Sequence, residues 1–196
     1  MIDLDTTDLS RLEAVMETEK GMMVIGFYPE QAPLHVRNFA DLSQKGFYDG
    51  LAFHRVIRNF MVQGGCPNTR EGAGGIPGTG GPGHTVPAEF SDLPHKRGVL
   101  SMARSSDPNS AGSQFFFVHA EHATHLDGQY TVFGFVKDGL DVLDALASVE
   151  CEFAGSGERS VPAERQGLMS VSLQVIEEGE PAAGAAEQGG EEGQEE

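Results

Sequence analysis

The sequence predicts a mainly β protein whose strands form an antiparallel, closed or nearly closed barrel. About eight short segments show the apolar–polar alternation or the β-branched and aromatic enrichment that is typical of strands. Two further segments show helical spacing, and turns rather than helices join most of the strand segments. Short connections of this kind favour antiparallel pairing, and a barrel leaves few exposed strand edges.

Length and composition indicate one globular domain. The 196 residues are 39% hydrophobic, which is enough for a core. No apolar run approaches the roughly 18 residues of a membrane span, and the acidic residues 1–18 do not resemble a secretory signal, so we expect a soluble protein away from membranes. Cys66 and Cys151 are too few for a disulfide framework, so we expect free thiols and a cytoplasmic location.

The net charge argues against nucleic acid as a partner, and the distribution of the acidic residues indicates a tail. A formal net charge of −17 argues against nucleic-acid binding, which needs clustered Lys and Arg. Residues 177–196 contain 8 acidic and no basic residues, and they lack aromatic and β-branched residues. We therefore expect a single domain over residues 1–176 followed by a disordered acidic tail. A solubilising role explains this tail more simply than partner binding does.

The chain opens with a predicted hairpin and a helix. Residues 11–18 alternate apolar and polar side chains, and residues 22–28 form the return strand after a turn. Pro33 suits the first turn of a helix, and Gly46 ends it. Three apolar residues share one face of this helix, which we expect to cover an apolar surface: Val36, Phe39 and Ala40.

A second hairpin is the segment around which the chain is organised. Residues 51–57 and 60–63 are rich in aromatic and β-branched residues, and Arg58 with Asn59 forms a tight connection.

Arg55 and Gln63 are polar residues within these apolar strands. Because side chains alternate between faces, Arg55 is expected to share a face with Phe53 and Ile57, and Gln63 to share one with Met61. Either Arg55 is an edge residue that points to water, or this face of the sheet carries a site.

A long surface loop follows the hairpin. Residues 64–83 hold nine glycines and three prolines, too many for regular structure. Residues 78–83 match the dinucleotide fingerprint G-x-G-x-x-G, but no helix can continue through Pro87 and no βαβ unit surrounds the match. We interpret the segment as a shaped loop rather than a nucleotide site.

The second half supplies more strands and a second helix. Strands are predicted over residues 99–103, 114–118, 131–136 and 169–176. The helix over residues 138–146 repeats Leu140, Leu143 and Leu146 at packing distance, and we expect it to cap the barrel end opposite the first helix. A Gly-, Ser- and Pro-containing loop precedes the last strand, whose inward residues are predicted to be Met169, Val171, Leu173 and Val175.

Two clusters in this half need separate interpretation. Residues 115–117 are three phenylalanines, so at least one ring faces away from its neighbours, towards a second layer or a cleft. His119, His122 and His125 are spaced by three, which would spread them around a helix, and the H-x-x-x-H pair of a zinc helix is absent. We interpret them as turn residues serving different neighbours, and we expect no metal and no cofactor.

Three motifs together resemble the cyclophilin family of peptidyl-prolyl cis/trans isomerases. Residues 53–65 resemble its first signature, residues 98–103 leading to 112–116 its second, and residues 126–128 with 132–134 its third. The resemblance covers roughly residues 20–176. It implies a closed eight-stranded antiparallel β-barrel capped by two α-helices, and an isomerase that rotates Xaa-Pro peptide bonds and assists protein folding.

The resemblance also assigns site residues. Arg55 matches the catalytic arginine of the family, and Gln63 matches the glutamine that orients it and contacts substrate. The positions of the apolar proline socket are Phe60, Met61, Phe116 and Leu126. The positions that bind the peptide backbone are Ala103, Arg104 and Gln114.

Three residues depart from the pattern of many relatives. Arg104 stands where many members have Asn, which is tolerable if the contact is made by the main chain and otherwise shifts affinity or the preference beside proline. His125 stands where many eukaryotic members have Trp, and Tyr130 where they have a pocket histidine, although both can still line a pocket. The change at His125 implies that cyclosporin binds weakly.

The chemistry suits an arginine. Rotation breaks no bond, and a fixed donor aimed at the proline nitrogen stabilises the twisted amide more than the planar one. His54 should point away from Arg55, and the reaction needs no proton transfer.

The competing interpretation is a non-catalytic proline-peptide-binding scaffold or holdase chaperone, but Arg55, Gln63 and the apolar socket favour turnover. The expected partners are proline-containing peptides and unfolded or partly folded proteins, bound by a monomer.

Overall fold

The computed structural model describes residues 1–176, so the expected acidic tail lies outside the described residues. The helices are α1 (Pro33–Gln44) and α2 (Leu140–Ala147). The strands are β1 (Leu12–Thr18), β2 (Gly21–Phe27), β3 (Leu51–Phe53), β4 (Arg55–Ile57), β5 (Met61–Gly64), β6 (Val99–Met102), β7 (Phe115–Val118), β8 (Val132–Asp138), β9 (Cys151–Phe153), β10 (Arg159–Pro162) and β11 (Gln166–Val175).

Nine of these strands form one antiparallel sheet that nearly closes into a barrel. Their order is β3-β11-β1-β2-β8-β6-β7-β5-β4. The two outermost strands, β3 and β4, are separated along the chain by His54 alone, and the His54 N–H donates to the Gln63 carbonyl of β5 over 3.0 Å. With β3 and β4 counted as one bent strand, the sheet has eight strands, which confirms the predicted mainly β barrel.

The bend at His54 corrects the predicted face of Arg55. β3 pairs with β11 whereas β4 pairs with β5, so the chain changes partner between Phe53 and Arg55. Phe53 and Val56 both lie in the barrel core, and Arg55 is partly exposed on the other face. The prediction that Arg55 shares a face with Phe53 is therefore wrong, because continuous alternation does not hold through the bend.

The two helices cover opposite ends of the barrel, as predicted. The Phe39 ring of α1 lies 5.8 Å from the Phe27 ring at the end of β2. Val142 of α2 lies against Gly21 at the start of the same strand, where an added Cβ would stand 2.9 Å from the Val142 Cγ2. Within residues 1–176, no helix is both long enough and apolar enough to cross a membrane.

Several residues predicted to face inward are exposed. Leu140 is 39% exposed, and α2 instead buries Val142 beside the predicted Leu143 and Leu146. Met169 and Val175 are 54% and 43% exposed. The register of β11 against β1 shifts between the pairs Glu17–Ser170 and Thr18–Leu168. This irregularity changes which residues face inward: Leu168 is buried and Met169 is not.

A two-stranded antiparallel sheet, β9 with β10, occupies part of the segment that was predicted as loop. Its strands have only three and four residues, too few for a recognisable alternation. β10 packs against β4. This hairpin therefore lies beside the strand that carries Arg55.

The three consecutive phenylalanines of β7 separate the core from a second apolar cluster. Phe115 and Phe117 lie in the barrel core, whereas Phe116 lies in a smaller cluster with Met61 and Leu126. This arrangement confirms the prediction that one ring faces away from its neighbours. The smaller cluster forms the floor of the site described next.

Candidate active site

A small pocket opens beside the second apolar cluster. Its volume is about 120 Å³. It is lined by Arg55, Phe60, Met61, Gln63, Ala103, Arg104, Phe116, Leu126 and Tyr130. These are nine of the eleven residues assigned from the sequence. A cavity of roughly 150 Å³ is known to hold one benzene ring, so this pocket is of the size that accepts a single small ring.

The floor of the pocket is apolar and almost fully buried. Met61, Phe116 and Leu126 are each less than a tenth exposed. The Tyr130 ring stands edge-on to Phe116, with centroids 5.7 Å apart. Phe60, partly buried, packs against the same cluster. A ring that enters here exchanges water for apolar contacts on several sides.

A buried polar network supports this floor from behind. The His95 imidazole stacks on the Phe116 ring at 6.2 Å with an interplanar angle of 14°. Its Nδ1 lies 2.9 Å from Asp127 Oδ1, and its Nε2 lies 3.0 Å from Ser101 Oγ. Burial lowers the pKa of His95, although Asp127 acts in the opposite direction. Sequence reasoning missed His95. Its partner Asp127 belongs to the motif at residues 126–128, and that motif was the signal in the sequence that could have indicated this network.

Arg55 and Gln63 form the polar edge of the pocket. They are direct partners across β4 and β5, so their side chains project from the same face. The Arg55 Nη1 lies 3.8 Å from Met61 Sδ and 3.5 Å from Gln63 Oε1, the latter long for a hydrogen bond. The Gln63 amide donates from Nε2 to Gln114 Oε1 over 3.1 Å.

The strongest contacts of Arg55 are with Glu158, a residue that sequence reasoning missed. Arg55 Nε donates to Glu158 Oε1 over 2.8 Å, and Nη2 donates to Oε2 over 2.9 Å. The guanidinium holds the pKa of the Glu158 carboxyl below its ordinary value. Glu158 lies 103 residues away along the chain, in the turn of the unpredicted β9–β10 hairpin. No local pattern in the sequence indicated this pairing.

Gln114 faces a second, larger cavity beside the first. This cavity has a volume of about 660 Å³ and is also lined by Gln63, Ala103 and Arg104. Residues 78–83 of the glycine-rich loop, which spans residues 64–83, line it as well. Gln114 Nε2 donates to the carbonyls of Gly78 and Gly80, both over 2.9 Å. Gln114 thus anchors the glycine-rich loop and does not line the small pocket.

Arg104 lies between the two cavities and its side chain is already fixed. Its Nε donates to the Gln129 carbonyl over 3.0 Å, and its Nη1 donates to the Ser105 carbonyl over 2.8 Å. The guanidinium carbon lies 4.6 Å from the centre of the Tyr130 ring, a cation–π geometry. Arg104 and Tyr130 together form one wall of the small pocket.

The histidines near the pocket have different surroundings. His125 lies on the exposed rim, where its ring is 5.4 Å from the Phe60 ring. His119 Nδ1 accepts from the Asn59 N–H over 3.0 Å, and its Nε2 lies 3.1 Å from Asp144 Oδ1. Among the residues that the structure describes, no three His, Cys, Asp or Glu side chains are arranged to hold a metal ion.

His54 lies outside the pocket that contains Arg55. It lines a separate cavity with Phe53 and Ile76. Its Nδ1 is buried without a hydrogen-bond partner. Burial, followed by the nearby Arg55 charge, lowers the pKa of His54 to about 4. This position agrees with the prediction that His54 points away from Arg55.

Comparisons with known proteins identify similar chains. Residues 14–167 match the family model described as cyclophilin type peptidyl-prolyl cis-trans isomerase/CLD. A peptidyl-prolyl cis-trans isomerase of Synechococcus elongatus is 52% identical over 126 residues, which cover 64% of this chain and 81% of that protein. Peptidyl-prolyl cis-trans isomerase B of Bacillus subtilis is 51% identical over 116 residues, covering 58% of this chain and 75% of that protein.

Solved structures agree with these sequence comparisons. A cyclophilin type peptidyl-prolyl cis-trans isomerase of Cryptosporidium parvum, determined in the presence of the dipeptide Ala-Pro, has a TM-score of 0.72 to this chain. The two are 29% identical, and the match covers 84% of this chain and 99% of that one.

Proposed function

Because the chain belongs to the cyclophilin family of peptidyl-prolyl cis-trans isomerases, we propose that its small pocket holds proline and that Arg55 accelerates rotation about the preceding peptide bond. The protein is a peptidyl-prolyl cis-trans isomerase, and the role that we propose for this activity is to assist protein folding. The observation that carries the assignment of the site is the position of Arg55 Nη1, next to Met61 and Gln63 at the edge of an apolar pocket of about 120 Å³.

The barrier to be lowered comes from amide resonance. Delocalisation of the nitrogen lone pair into the carbonyl gives a barrier of about 18–20 kcal/mol, so an Xaa-Pro bond isomerises over tens to hundreds of seconds. At the top of the barrier the nitrogen is pyramidal and its lone pair is localised. A donor aimed at that nitrogen stabilises the twisted state more than the planar one, which is the condition for catalysis.

The chain supplies both parts of this mechanism. Met61, Phe116 and Leu126 provide an apolar floor that fixes the proline ring. Arg55 provides a permanently charged, planar donor group at the edge of the same pocket. No proton transfer is required, so the exclusion of His54 from the pocket is consistent with the mechanism.

The peptide flanking proline extends into the larger cavity. Ala103 and Gln63 line both cavities, so a chain leaving the small pocket passes over them. The Nε and Nη1 groups of Arg104 donate to main-chain carbonyls of this chain. Arg104 therefore contributes to peptide binding through its own main chain and through the pocket wall that its guanidinium forms with the Tyr130 ring. Gln114 lines the same larger cavity, so it contacts the flanking peptide as well as holding Gln63 and the glycine-rich loop.

The setting proposed for this activity is a monomer in the cytoplasm that acts on proline-containing peptides and on unfolded or partly folded proteins. Cys66 and Cys151 are free thiols, which suits a reducing compartment. Cyclosporin is proposed to bind weakly, because the rim position corresponding to the tryptophan of many eukaryotic relatives is His125.

Isomer exchange on a short Ala-Pro peptide tests the function. Catalytic amounts of protein should produce cross-peaks between the cis and trans proline signals in two-dimensional exchange NMR. A scaffold or holdase would bind the peptide, as seen in a titration of the same sample, and leave the exchange rate at its uncatalysed value.

A further inference from the structure

We propose that Glu158 is a positioning residue for the isomerisation, holding the Arg55 guanidinium so that Nη1 faces the proline pocket. The inference rests on the proposed catalytic role of Arg55.

The three guanidinium nitrogens of Arg55 lie in two different environments. Nε and Nη2 donate to the two carboxylate oxygens of Glu158 over 2.8 and 2.9 Å. The third nitrogen, Nη1, lies beside Met61 Sδ and Gln63 Oε1, which belong to the pocket. Because a guanidinium is planar, fixing two of its nitrogens fixes the direction of the third.

Gln63 alone does not provide this restraint. Its Oε1 lies 3.5 Å from Arg55 Nη1, longer than a normal hydrogen bond, and contacts one nitrogen only. Its amide nitrogen is a donor, as the guanidinium nitrogens are, and donates to Gln114 Oε1 instead. A single long contact leaves rotation about the terminal bonds of Arg55 possible, whereas the paired contacts to Glu158 remove it. Glu158 is therefore the stronger determinant of the guanidinium orientation.

Glu158 itself is held by the β9–β10 hairpin. The Ala154 N–H donates to the Glu158 carbonyl over 2.7 Å, and the Gly157 N–H donates to the Ala154 carbonyl over 2.9 Å, which closes the turn. The hairpin is attached to the strand of Arg55, since β10 packs against β4 and Cys151 Sγ lies 3.6 Å from the Val56 carbonyl. The carboxylate is thus presented to Arg55 from a fixed turn.

The ion pair between Arg55 and Glu158 affects the orientation of the guanidinium more than it affects the stability of the fold. The Arg55 and Glu158 side chains are 36% and 38% exposed, and ion pairs at such exposure contribute little to folding. A catalytic donor, in contrast, acts only in the correct orientation. Loss of Glu158 should therefore lower turnover while the fold and the affinity for peptide remain.

The first test separates turnover from binding. Glu158→Ala should lower the exchange rate at saturating Ala-Pro peptide about tenfold, and Glu158→Gln, which retains one acceptor oxygen, about threefold. The peptide dissociation constant should stay within about twofold in both, because the apolar floor is untouched. Glu152→Gln is the matched control: it removes the same charge from an exposed position of the same hairpin and should behave as wild type.

The second test asks whether Glu158 acts through Arg55. In an Arg55→Lys background, Glu158→Ala should change the residual rate less than about twofold, since the group that it positions is already gone. Wild-type or faster turnover in Glu158→Ala, beside an inactive Arg55→Lys variant, would overturn this inference alone. A loss of the same size in both backgrounds would also overturn it. A fully active Arg55→Lys variant would overturn the proposed role of Arg55 as well.

Discussion

The Glu89 carboxylate binds the first turn of α1 at His35. Glu89 Oε2 accepts the His35 main-chain N–H over 3.0 Å and lies 2.7 Å from His35 Nδ1. Its other oxygen accepts the Leu34 N–H over 3.1 Å. Pro33 has no N–H, and Ala32 has no side chain that could cap the helix. Glu89 therefore caps α1 from a loop that lies 54 residues further along the chain.

Replacement of Glu89 by alanine should destabilise the protein. The variant loses two hydrogen bonds from helix N–H groups, the contact with the buried His35 Nδ1 and a negative charge at the helix N-terminus, which together contribute about 1–3 kcal/mol. Urea unfolding should show this decrease in the free energy of unfolding. Glu30→Ala, an exposed position just before the helix, should stay within about 0.5 kcal/mol of wild type. Equal stability of the two variants would show that Glu89 does not cap the helix.

Stability should fall between pH 7 and pH 5, and His54 should account for part of the fall. Its pKa is about 4 in the folded protein, against an ordinary value near 6.5. Below pH 6.5 the unfolded chain binds a proton that the folded chain does not bind until about pH 4. The stability is thus lost as the pH decreases through this window. From these two pKa values, His54 contributes about 2 kcal/mol of the loss between pH 7 and pH 5.

The contribution of His54 can be isolated by substitution. His54→Gln should reduce the difference in unfolding free energy between pH 7 and pH 5, while the exposed His122→Gln should retain the wild-type difference. Burial also lowers the pKa values of His35 and His95, so part of the difference should remain in both variants. An undiminished pH dependence in His54→Gln would mean that His54 is protonated as easily in the folded protein as in the unfolded chain.

Cyclosporin inhibition should strengthen when the rim residue His125 is replaced by tryptophan. His125 lies over Phe60 and is exposed, so a larger ring can be accommodated there. An indole offers more apolar area together with an N–H donor. The inhibition constant of His125→Trp should decrease about tenfold or more, since an added aromatic contact plus a hydrogen bond contributes roughly 1.5–2.5 kcal/mol. Turnover of small peptides should change little.

A tryptophan elsewhere in the same turn provides the control. Thr124 is exposed and adjacent, so Thr124→Trp adds the same ring one residue away from the position whose ring faces Phe60. An inhibition constant that is unchanged in His125→Trp, or lowered equally in Thr124→Trp, would show that His125 is not the corresponding position.

The parts of the site that the sequence predicted are those with a local pattern. Arg55 and Gln63 stand out as polar residues within apolar strands, and three consecutive phenylalanines require one ring to face away from the other two, as Phe116 does. Alternation did not place Arg55 correctly, and its proposed role came from the resemblance of residues 53–65 to the first family motif. The barrel class followed from strand length and short connections.

The parts that the sequence did not predict depend on contacts between distant segments. The bend at His54 arises because β3 and β4 pair with different strands, and neither partner is visible from residues 51–57 alone. The pairing of Glu158 with Arg55 depends on a hairpin whose strands are too short to show alternation. His95 is buried behind Phe116 although its own segment has no regular structure.

The exchange NMR of an Arg55→Lys variant on an Xaa-Pro peptide tests the catalytic role of Arg55 most directly. Lysine keeps the charge, but its flexible ammonium cannot be held as a planar group by Glu158 and Gln63. Loss of one preorganised donor costs about 2.7–4 kcal/mol of transition-state stabilisation, so exchange should slow roughly 10²- to 10³-fold. Peptide affinity should be largely retained, and Arg58→Lys, in the turn between β4 and β5, should behave as wild type. Wild-type exchange in Arg55→Lys would contradict a catalytic role for this residue, and a parallel loss of exchange and binding would reduce Arg55 to a substrate anchor.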